Sequence, residues 1–322
     1  METESLPENE CNIAPEPQLP QALLETNLPF TLIRKDGARD IYDLGEYNLA
    51  VYTDRATVFD APIEGGIPER GKCLARLAAY WLAKTRPVIA NHFKSALQNP
   101  DELKSYLAEE SSFDLPENLV ERCLIYKKTE PLDIIFEIWG YLTGPAWKEY
   151  QDNGTVFGHP QINGLLQSQS LPASVFVAFE KSGDGTRKQL TDEELTERLG
   201  TKLLEDIKTS GARIYTDLQR TLRVNGKFIV PHMSLVFGNN RSKAFIADDM
   251  LTPESACYWD MTHYRVGNPY YNYEMQTLKA WLAHTSWNHR GPLPQIPPEI
   301  MLQTIAKHRN LCERVTGKQT FA

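Results

Sequence analysis

The chain has 322 residues, of which 41% are hydrophobic and 24% charged, and its formal net charge is -8. This composition is typical of a soluble globular protein, and the negative charge argues against a dedicated nucleic-acid binder. No apolar run approaches the roughly 18 residues of a membrane helix, and the acidic N-terminus has no signal-peptide character. The five cysteines are scattered and form no C-x-x-C pair. We therefore expect reduced thiols, no metal site, a cytoplasmic location and a small-molecule partner, with neither nucleic acid nor membrane bound.

The first third of the chain predicts a tail followed by strands. Residues 1–21 are rich in Glu, Pro and Asn without periodicity, which predicts a disordered tail. From Leu32 onward, R-D-I-Y-D-L and Y-N-L-A-V-Y-T have the composition of strands and are separated by Gly45 and Glu46. Residues 72–84 carry apolar side chains at helical spacing and predict a packed helix.

The rest of the chain mixes strand and helix patterns. Residues 122–127 and 134–139 predict strands, and residues 228–237 predict another with Pro231 at an edge or bulge. The longest helical pattern begins at Thr191, which has capping-box spacing to Glu194, and it extends to about residue 223.

Two further signals concern helix boundaries. Ser210-Gly211 is expected to kink or interrupt the long helix. Pro297-Pro298 opens a last helix, which Gly317 is expected to cap. These elements predict an α+β protein with a β-rich N-terminal lobe at residues 22–128 and an α+β C-terminal lobe at residues 129–322, the two forming one catalytic unit.

Five collinear segments carry a family resemblance. They are A-R-D-I-Y-D-L-G from Ala38, T-D-R-A-T-V-F-D ending at Asp60, I-P-E-R-G ending at Gly71, G-Y-L-T-G-P-A-W-K-E-Y from Gly140, and D-D-M-L-T-P-E-S-A-C-Y-W ending at Trp259. In these segments the chain resembles the SAICAR synthetases, which use ATP to join aspartate to a phosphorylated aminoimidazole carboxylate in purine synthesis. The resemblance implies a two-lobed α+β fold with a central ATP cleft, distantly similar to ATP-grasp enzymes and kinases.

The same comparison shows consistent departures from the family pattern. Gly37, Trp139, Ser234, Cys257 and Met275 occupy positions where the family directs cations at phosphates, and Val236 replaces an acidic magnesium ligand. A charge-assisted contact contributes roughly 1.5 to 3 kcal/mol, so losing all of them would cost at least about 7 kcal/mol if they were additive. This predicts that the ancestral reaction is lost and that no cofactor binds, with Mg-ATP retained only if relocated cations rebuild the site.

Glu137 is the first candidate catalytic residue. Side chains alternate along a strand, so Ile135, Glu137 and Trp139 share the face that matches family pocket positions. An apolar setting would raise the carboxyl pKa and make Glu137 a proton carrier near neutral pH. The alternative is a structural ion pair with Arg39 or Arg55.

His232 and Asp248 are the other candidate catalytic residues. His232 matches an acidic family position and would act in acid–base chemistry, or alternatively be a structural histidine. Asp248 would orient His232 or bind a cation, or alternatively serve a turn. The expected substrate-binding residues are Trp139, Arg39, Arg55, Lys148, Lys181, Cys257, Tyr258 and Met275, several of which would give an apolar, aromatic pocket.

Three functional hypotheses follow from these residues. The first is a repurposed enzyme that catalyses ATP-independent condensation or cyclisation of a small aromatic amine, of Pictet–Spengler type. The second is a non-catalytic binding or regulatory paralogue with a self-filled cleft. The third is an ATP-dependent SAICAR synthetase or related amide ligase. Similar proteins are often oligomeric, so a homo-oligomer is also an expectation.

Overall fold

The computed structural model describes residues 18–107, 113–181 and 186–317, with the side chain of Lys181 excepted. The predicted tail falls outside the described residues as far as residue 17. Residues 18–30 form neither helix nor strand. They lie against the first sheet, because the backbone N–H of Leu23 donates to Asp54 at 2.8 Å and that of Thr26 donates to Asp40 at 2.9 Å.

The first sheet is antiparallel and has the strand order β1-β2-β3-β7-β6. Its strands and the neighbouring short hairpin are β1 (Thr31–Lys35), β2 (Arg39–Asp43), β3 (Tyr47–Tyr52), β4 (Thr57–Val58), β5 (Ala61–Pro62), β6 (Phe93–Ala96) and β7 (Cys123–Lys127). Helix α1 (Arg70–Thr85) covers one face of this sheet. The predicted strands on either side of Gly45 and the predicted helix at 72–84 are confirmed.

Alternation in β3 explains how the first sheet is buried on both faces. Leu49 and Val51 pack in one apolar cluster with residues of the 97–120 segment. Ala50 and Tyr52 point the other way, into the main core with α1. Short 3-10 helices at Pro100–Tyr106 and Glu117–Arg122 close the outer face.

The second sheet has the strand order β12-β11-β8-β14-β15 and is also antiparallel where its pairing is defined. The strands of this half are β8 (Pro131–Tyr141), β9 (Thr155–Val156), β10 (His159–Pro160), β11 (Ser170–Lys181), β12 (Arg187–Leu190), β13 (Phe228–Ile229), β14 (His232–Asn240), β15 (Lys243–Ile246) and β16 (Trp259–Asp260). The chain crosses from the first sheet to the second between Lys127 and Pro131.

The helices of this half follow the same chain order. They are α2 (Gly144–Asn153), α3 (Asp192–Leu199), α4 (Thr201–Thr221), α5 (Gln276–Leu282) and α6 (Pro298–Thr316), with a π turn at Leu222–Gly226 and a 3-10 turn at Tyr273–Met275. The capping box of Thr191 and Glu194 is present, and α6 ends at Gly317, which has a φ of 70°. Both predictions are confirmed.

Two predicted boundaries are wrong. The helical pattern after Thr191 breaks at Gly200, where φ is 76°, and runs through Ser210-Gly211 without interruption. At Gly211 the helix packs closely against the second sheet, because a Cβ at this position would lie 3.2 Å from Ile138 Cδ1. The strand predicted at 228–237 is two strands, separated at Val230 and Pro231.

The main core lies between the sheets and helices. Ile134, Phe136 and Ile138 of β8 point into it, together with apolar residues of α1 and α4. Ile135 and Glu137, which alternate with these residues, face away from this core and line the space between the two sheets. In the described part of the chain, no helix is both long and apolar enough to cross a membrane.

Candidate active-site cleft

A cleft of about 500 Å³ opens between the two sheets. The first sheet and the turn after β1 contribute Arg34, Asp36, Gly37, Ala38, Arg39 and Tyr52. The second sheet contributes Ile135, Glu137, Arg187, Ser234 and Val236, and the segment after β15 contributes Asp248, Asp249, Thr252, Glu254 and Ser255. The lining therefore carries both arginines and carboxylates.

Arg39 connects the two sides of this cleft. Its Nη1 lies 2.6 Å from Asp248 Oδ1 and 2.9 Å from Asp249 Oδ2, and its Nη2 lies 2.7 Å from Asp36 Oδ2. Burial alone would lower the pKa of the guanidinium, but Asp249 and Asp248 outweigh it and raise the pKa above its usual value. Arg39 is thus a fixed positive charge in the cleft.

Asp248 keeps its negative charge despite burial. Burial raises the pKa of this carboxyl, but the Arg39 charge and hydrogen bond outweigh the burial and lower the pKa to about 2. Its Oδ2 also lies 3.8 Å from Arg34. The Asp249 carboxylate has additional partners, because it accepts hydrogen bonds from the hydroxyls of Tyr52 and Tyr126, the latter at 2.6 Å. Asp248 is therefore the more accessible of the two carboxylates.

Glu137 projects into the cleft, as the alternation in β8 predicts. Its Oε1 accepts from Arg187 Nη2 at 2.5 Å, and its Oε2 accepts from Trp139 Nε1 at 2.9 Å. The structural alternative for Glu137 was an ion pair with Arg39 or Arg55, and the partner is instead Arg187. The expected apolar setting is wrong, since this carboxylate is held by an arginine and an indole N–H.

The predicted aromatic wall of the cleft does not form. The Trp139 indole is only 4% exposed and stacks on His232, with ring centroids 4.1 Å apart and an interplanar angle of 13°. Phe157 packs against the same indole at 5.1 Å. The Trp139 indole therefore packs against His232 and Phe157, and it is not available to stack on a substrate.

The same packing determines the surroundings of the His232 ring. Burial lowers the pKa of His232 to about 4, with Glu137 acting in the opposite direction. The imidazole is therefore neutral near pH 7. It lies beside Trp139 and has no hydrogen bond to Asp248 among the described contacts, so the expected pairing of these two residues does not occur.

The other expected site residues lie apart from the cleft. Arg55 lies 2.8 Å from Asp40 and donates to the backbone carbonyls of Leu24 and Asp36. Tyr258 is fully buried in the main core. Met275 belongs to a separate apolar cluster. Cys257 is half-buried, and burial raises the pKa of its thiol.

Two expected lysines complete this comparison. Lys148 is exposed on α2. Lys181 ends β11, and its side chain lies outside the described part of the chain. Of all the expected site residues, the cleft lining therefore brings together Arg39, Glu137 and Asp248.

Sequence reasoning missed two cations of the cleft. Arg34 and Arg187 both line it, with side chains 48% and 44% exposed. Arg187 reaches Glu137 because β12 pairs with β11, with Arg187 opposite Lys181, and β11 lies beside the central strand β8. A short sequence pattern does not encode that register.

A magnesium ion is compatible with these residues in one way. In the described ranges, no group of three His, Cys, Asp or Glu side chains is arranged to hold a metal ion by itself. Magnesium, however, is usually held by one or two carboxylates together with substrate phosphates and water. Asp248 meets that requirement, because it is ionised and borders the cleft.

The two sheets and the charged space between them define a two-lobed α+β protein with a cleft between its lobes. A SAICAR synthetase family model matches residues 33–294. The chain is 32% identical to a phosphoribosylaminoimidazole-succinocarboxamide synthase of Thermodesulfovibrio yellowstonii, over 92% of this chain and 99% of that protein. A protein of the same name from Desulforapulum autotrophicum is 31% identical, over 93% and 99%. The chain belongs to the SAICAR synthetase family.

A solved structure supports the same assignment. The SAICAR synthase of Saccharomyces cerevisiae, complexed with SAICAR, superposes with a TM-score of 0.82 at 27% identity, covering 93% of this chain and 100% of that one. The predicted α+β family fold is therefore confirmed. The leading hypothesis of a repurposed, ATP-independent enzyme is wrong, because the relatives that match over nearly their whole length bear the name of the synthase.

Proposed function

We propose that this protein is an ATP-dependent ligase that joins aspartate to a phosphorylated aminoimidazole carboxylate. The observation that carries the proposal is the cleft itself. It lies between the two sheets, where the family resemblance implies ATP, and it is lined by three arginines and five carboxylates: Arg34, Arg39 and Arg187 with Asp36, Glu137, Asp248, Asp249 and Glu254. Charged walls of this kind suit phosphates and a divalent cation better than they suit an aromatic amine.

The arginines would replace cations that the family pattern places elsewhere. Arg34 lies 3.3 Å from Asp36 and 3.8 Å from Asp248, so it is only loosely paired. Arg187 is anchored by Glu137 but remains 44% exposed. A guanidinium binds phosphate oxygens through two parallel hydrogen bonds, which suits these two side chains to the task. Relocated cations thus provide phosphate contacts despite Gly37 and Met275.

Asp248 is the residue that would hold magnesium. When bound, the ion would neutralise phosphate charge in the cleft. Arg39 has a positioning role here, because its contacts fix the Asp248 and Asp36 carboxylates. Amide formation also requires a carboxylate oxygen to become a leaving group, and ATP is the reactant that makes this possible.

The test is product formation by the purified chain. Aspartate and the phosphorylated aminoimidazole carboxylate are incubated with Mg-ATP, and the succinocarboxamide product and ADP are followed by liquid chromatography and mass spectrometry. We expect equal amounts of both products, and neither when ATP or aspartate is left out. ADP release without the amide, or no reaction at all, would overturn the proposal.

A further inference from the structure

A second cavity of about 430 Å³ lies at the C-terminal helix, and none of its described lining residues also lines the cleft between the sheets. We call it the aromatic groove and define it by Trp259, Tyr270, Tyr271, Tyr273 and Lys307, which all line it. The Trp259 ring comes from β16, the tyrosine rings come from the segment between β16 and α5, and the lysine comes from α6.

Lys307 is the unusual charge of this groove. Its Nζ lies 4.2 Å from the centroid of the Tyr273 ring and 3.4 Å from Gln276 Oε1. Among the described residues, no carboxylate lies within ion-pair distance of this ammonium. Asp260 also lines the groove, but it is bound by Arg314 at 2.8 Å.

The surroundings of Lys307 favour the binding of an anion beside its ammonium group. Burial lowers the pKa of Lys307, while Asp260 acts in the opposite direction. Removing an ammonium from water costs free energy unless a partner compensates for it, and the half-buried Lys307 has a ring and a side-chain amide oxygen as its described contacts. The Tyr273 ring stabilises the cation only in part.

The rings supply the other half of a binding site. Trp259 is only 1% exposed and supports Tyr270 at 5.3 Å, so the accessible rings are those of the half-buried Tyr270 and of Tyr271, which is 42% exposed at the edge of the groove. Aromatic walls with a few placed polar groups are typical of sites for small planar molecules. The Gln276 side chain adds a hydrogen-bonding group beside Lys307.

We propose that the aromatic groove is a second ligand site, which binds a planar aromatic ring carrying one anionic group, with Lys307 contacting the anion and the tyrosine rings contacting the ring. The proposal is independent of the activity of the cleft. It rests on the juxtaposition of aromatic rings with a half-buried ammonium that has no carboxylate partner within the described part of the chain.

The test uses calorimetry with 2-naphthoate as probe and the uncharged 2-naphthalenemethanol as its matched control, on the full chain. We expect saturable binding of one 2-naphthoate per chain. Lys307→Met should weaken 2-naphthoate binding at least tenfold and leave the uncharged probe unaffected, whereas Lys307→Arg should retain most of the affinity. Lys202→Met, an exposed lysine of α4, serves as the charge-matched control and should change neither.

Further measurements separate this site from the cleft. Tyr271→Ala should weaken both probes several-fold, because it removes an exposed ring. Saturating Mg-ATP should leave 2-naphthoate binding intact. Thermal melts of each variant check that the fold is kept. The proposal is overturned if millimolar 2-naphthoate gives no saturable heat, if a folded Lys307→Met variant binds it equally well, or if Mg-ATP displaces it.

Discussion

Arg39 and Asp248 approach within 2.6 Å across the cleft, so that a strand of the first sheet is tied to the segment that follows the second. The same guanidinium also contacts Asp249 at 2.9 Å and is itself only 12% exposed. One arginine therefore balances carboxylates that would otherwise repel each other in a partly buried space. The lobes are joined by charge as well as by the apolar core.

Replacing Arg39 with methionine should destabilise the protein strongly. Removing one member of a buried ion-pair network leaves the other charges uncompensated, at a cost of about 3–5 kcal/mol. The free energy of unfolding from urea titration measures the effect. Arg220→Met removes an exposed pair with Asp217 and should cost less than about 1 kcal/mol. Equal losses in the two variants would contradict the assigned role of Arg39.

Arg187→Met should weaken Mg-ATP binding at least tenfold. A charge-assisted contact to phosphate contributes roughly 1.5 to 3 kcal/mol, and Arg187 borders the cleft with 44% of its side chain exposed. Calorimetry gives the dissociation constants. Arg213→Met, which replaces an exposed arginine of α4, is the matched control and should bind as the unmodified chain does. An unchanged affinity for Arg187→Met would remove this residue from the phosphate site.

Gly140→Ala should destabilise the protein by about 1–3 kcal/mol, the usual effect of overpacking. A Cβ at this position would overlap the hydroxyl of Tyr215, which donates to the carbonyl of Val230 at 2.8 Å. Combining Gly140→Ala with Tyr215→Phe should cost less than the sum of the single changes, because the two share one contact. Strict additivity in urea unfolding would show that the close approach has no energetic effect.

Because of Glu274, stability should fall as pH rises from about 4.5 to about 8. Burial raises the pKa of this carboxyl from 4.5 to about 8, so between these values the folded state binds more protons than the unfolded state. Unfolding free energies should therefore drop by at least about 1 kcal/mol between roughly pH 6 and 9. In Glu274→Gln this decline should disappear, and a decline of the same size in the variant would assign it to another group.

Below neutral pH, the buried histidines should give the dependence of stability on pH the opposite sign. Burial lowers the pKa of His232 to about 4 and that of His308 to about 3, from 6.5. The folded state binds fewer protons than the unfolded state in that window, so stability is lost as pH falls below about 6.5. His308→Gln should reduce this loss in urea unfolding carried out at pH 5 and pH 7. An acid-side loss as large as that of the unmodified chain would exclude His308 as its source.

Much of the fold could be predicted because its signals are local. The strands on either side of Gly45, the helix α1 and the Gly317 cap each follow from composition, period or a single φ preference. The helix break was misplaced because Gly200 and Gly211 carry the same local signal. Only tertiary packing against Ile138 shows that Gly211 is a close-approach site within a continuous helix.

The site could be predicted only in part. Alternation in β8 correctly placed Glu137 in the cleft, since that inference needs one strand alone. The contact with its partner, Arg187, depends on the long-range pairing of β8 with β11 and of β11 with β12. The stacking of Trp139 on His232 depends in the same way on the register of β14 against β8, where the two residues are directly opposite. Trp139 and Met275, which were expected to line the pocket, therefore became part of apolar clusters, while Arg34 and Arg187 lined the cleft.

The most direct test of this account is calorimetric titration of the purified chain with Mg-ATP. The charged cleft predicts saturable binding of one nucleotide per chain, with a dissociation constant below about 1 mM, and weaker binding in Arg187→Met. No saturable heat at millimolar Mg-ATP would contradict the central claim that Arg34 and Arg187 form a phosphate site, with Arg39 holding the carboxylates beside them.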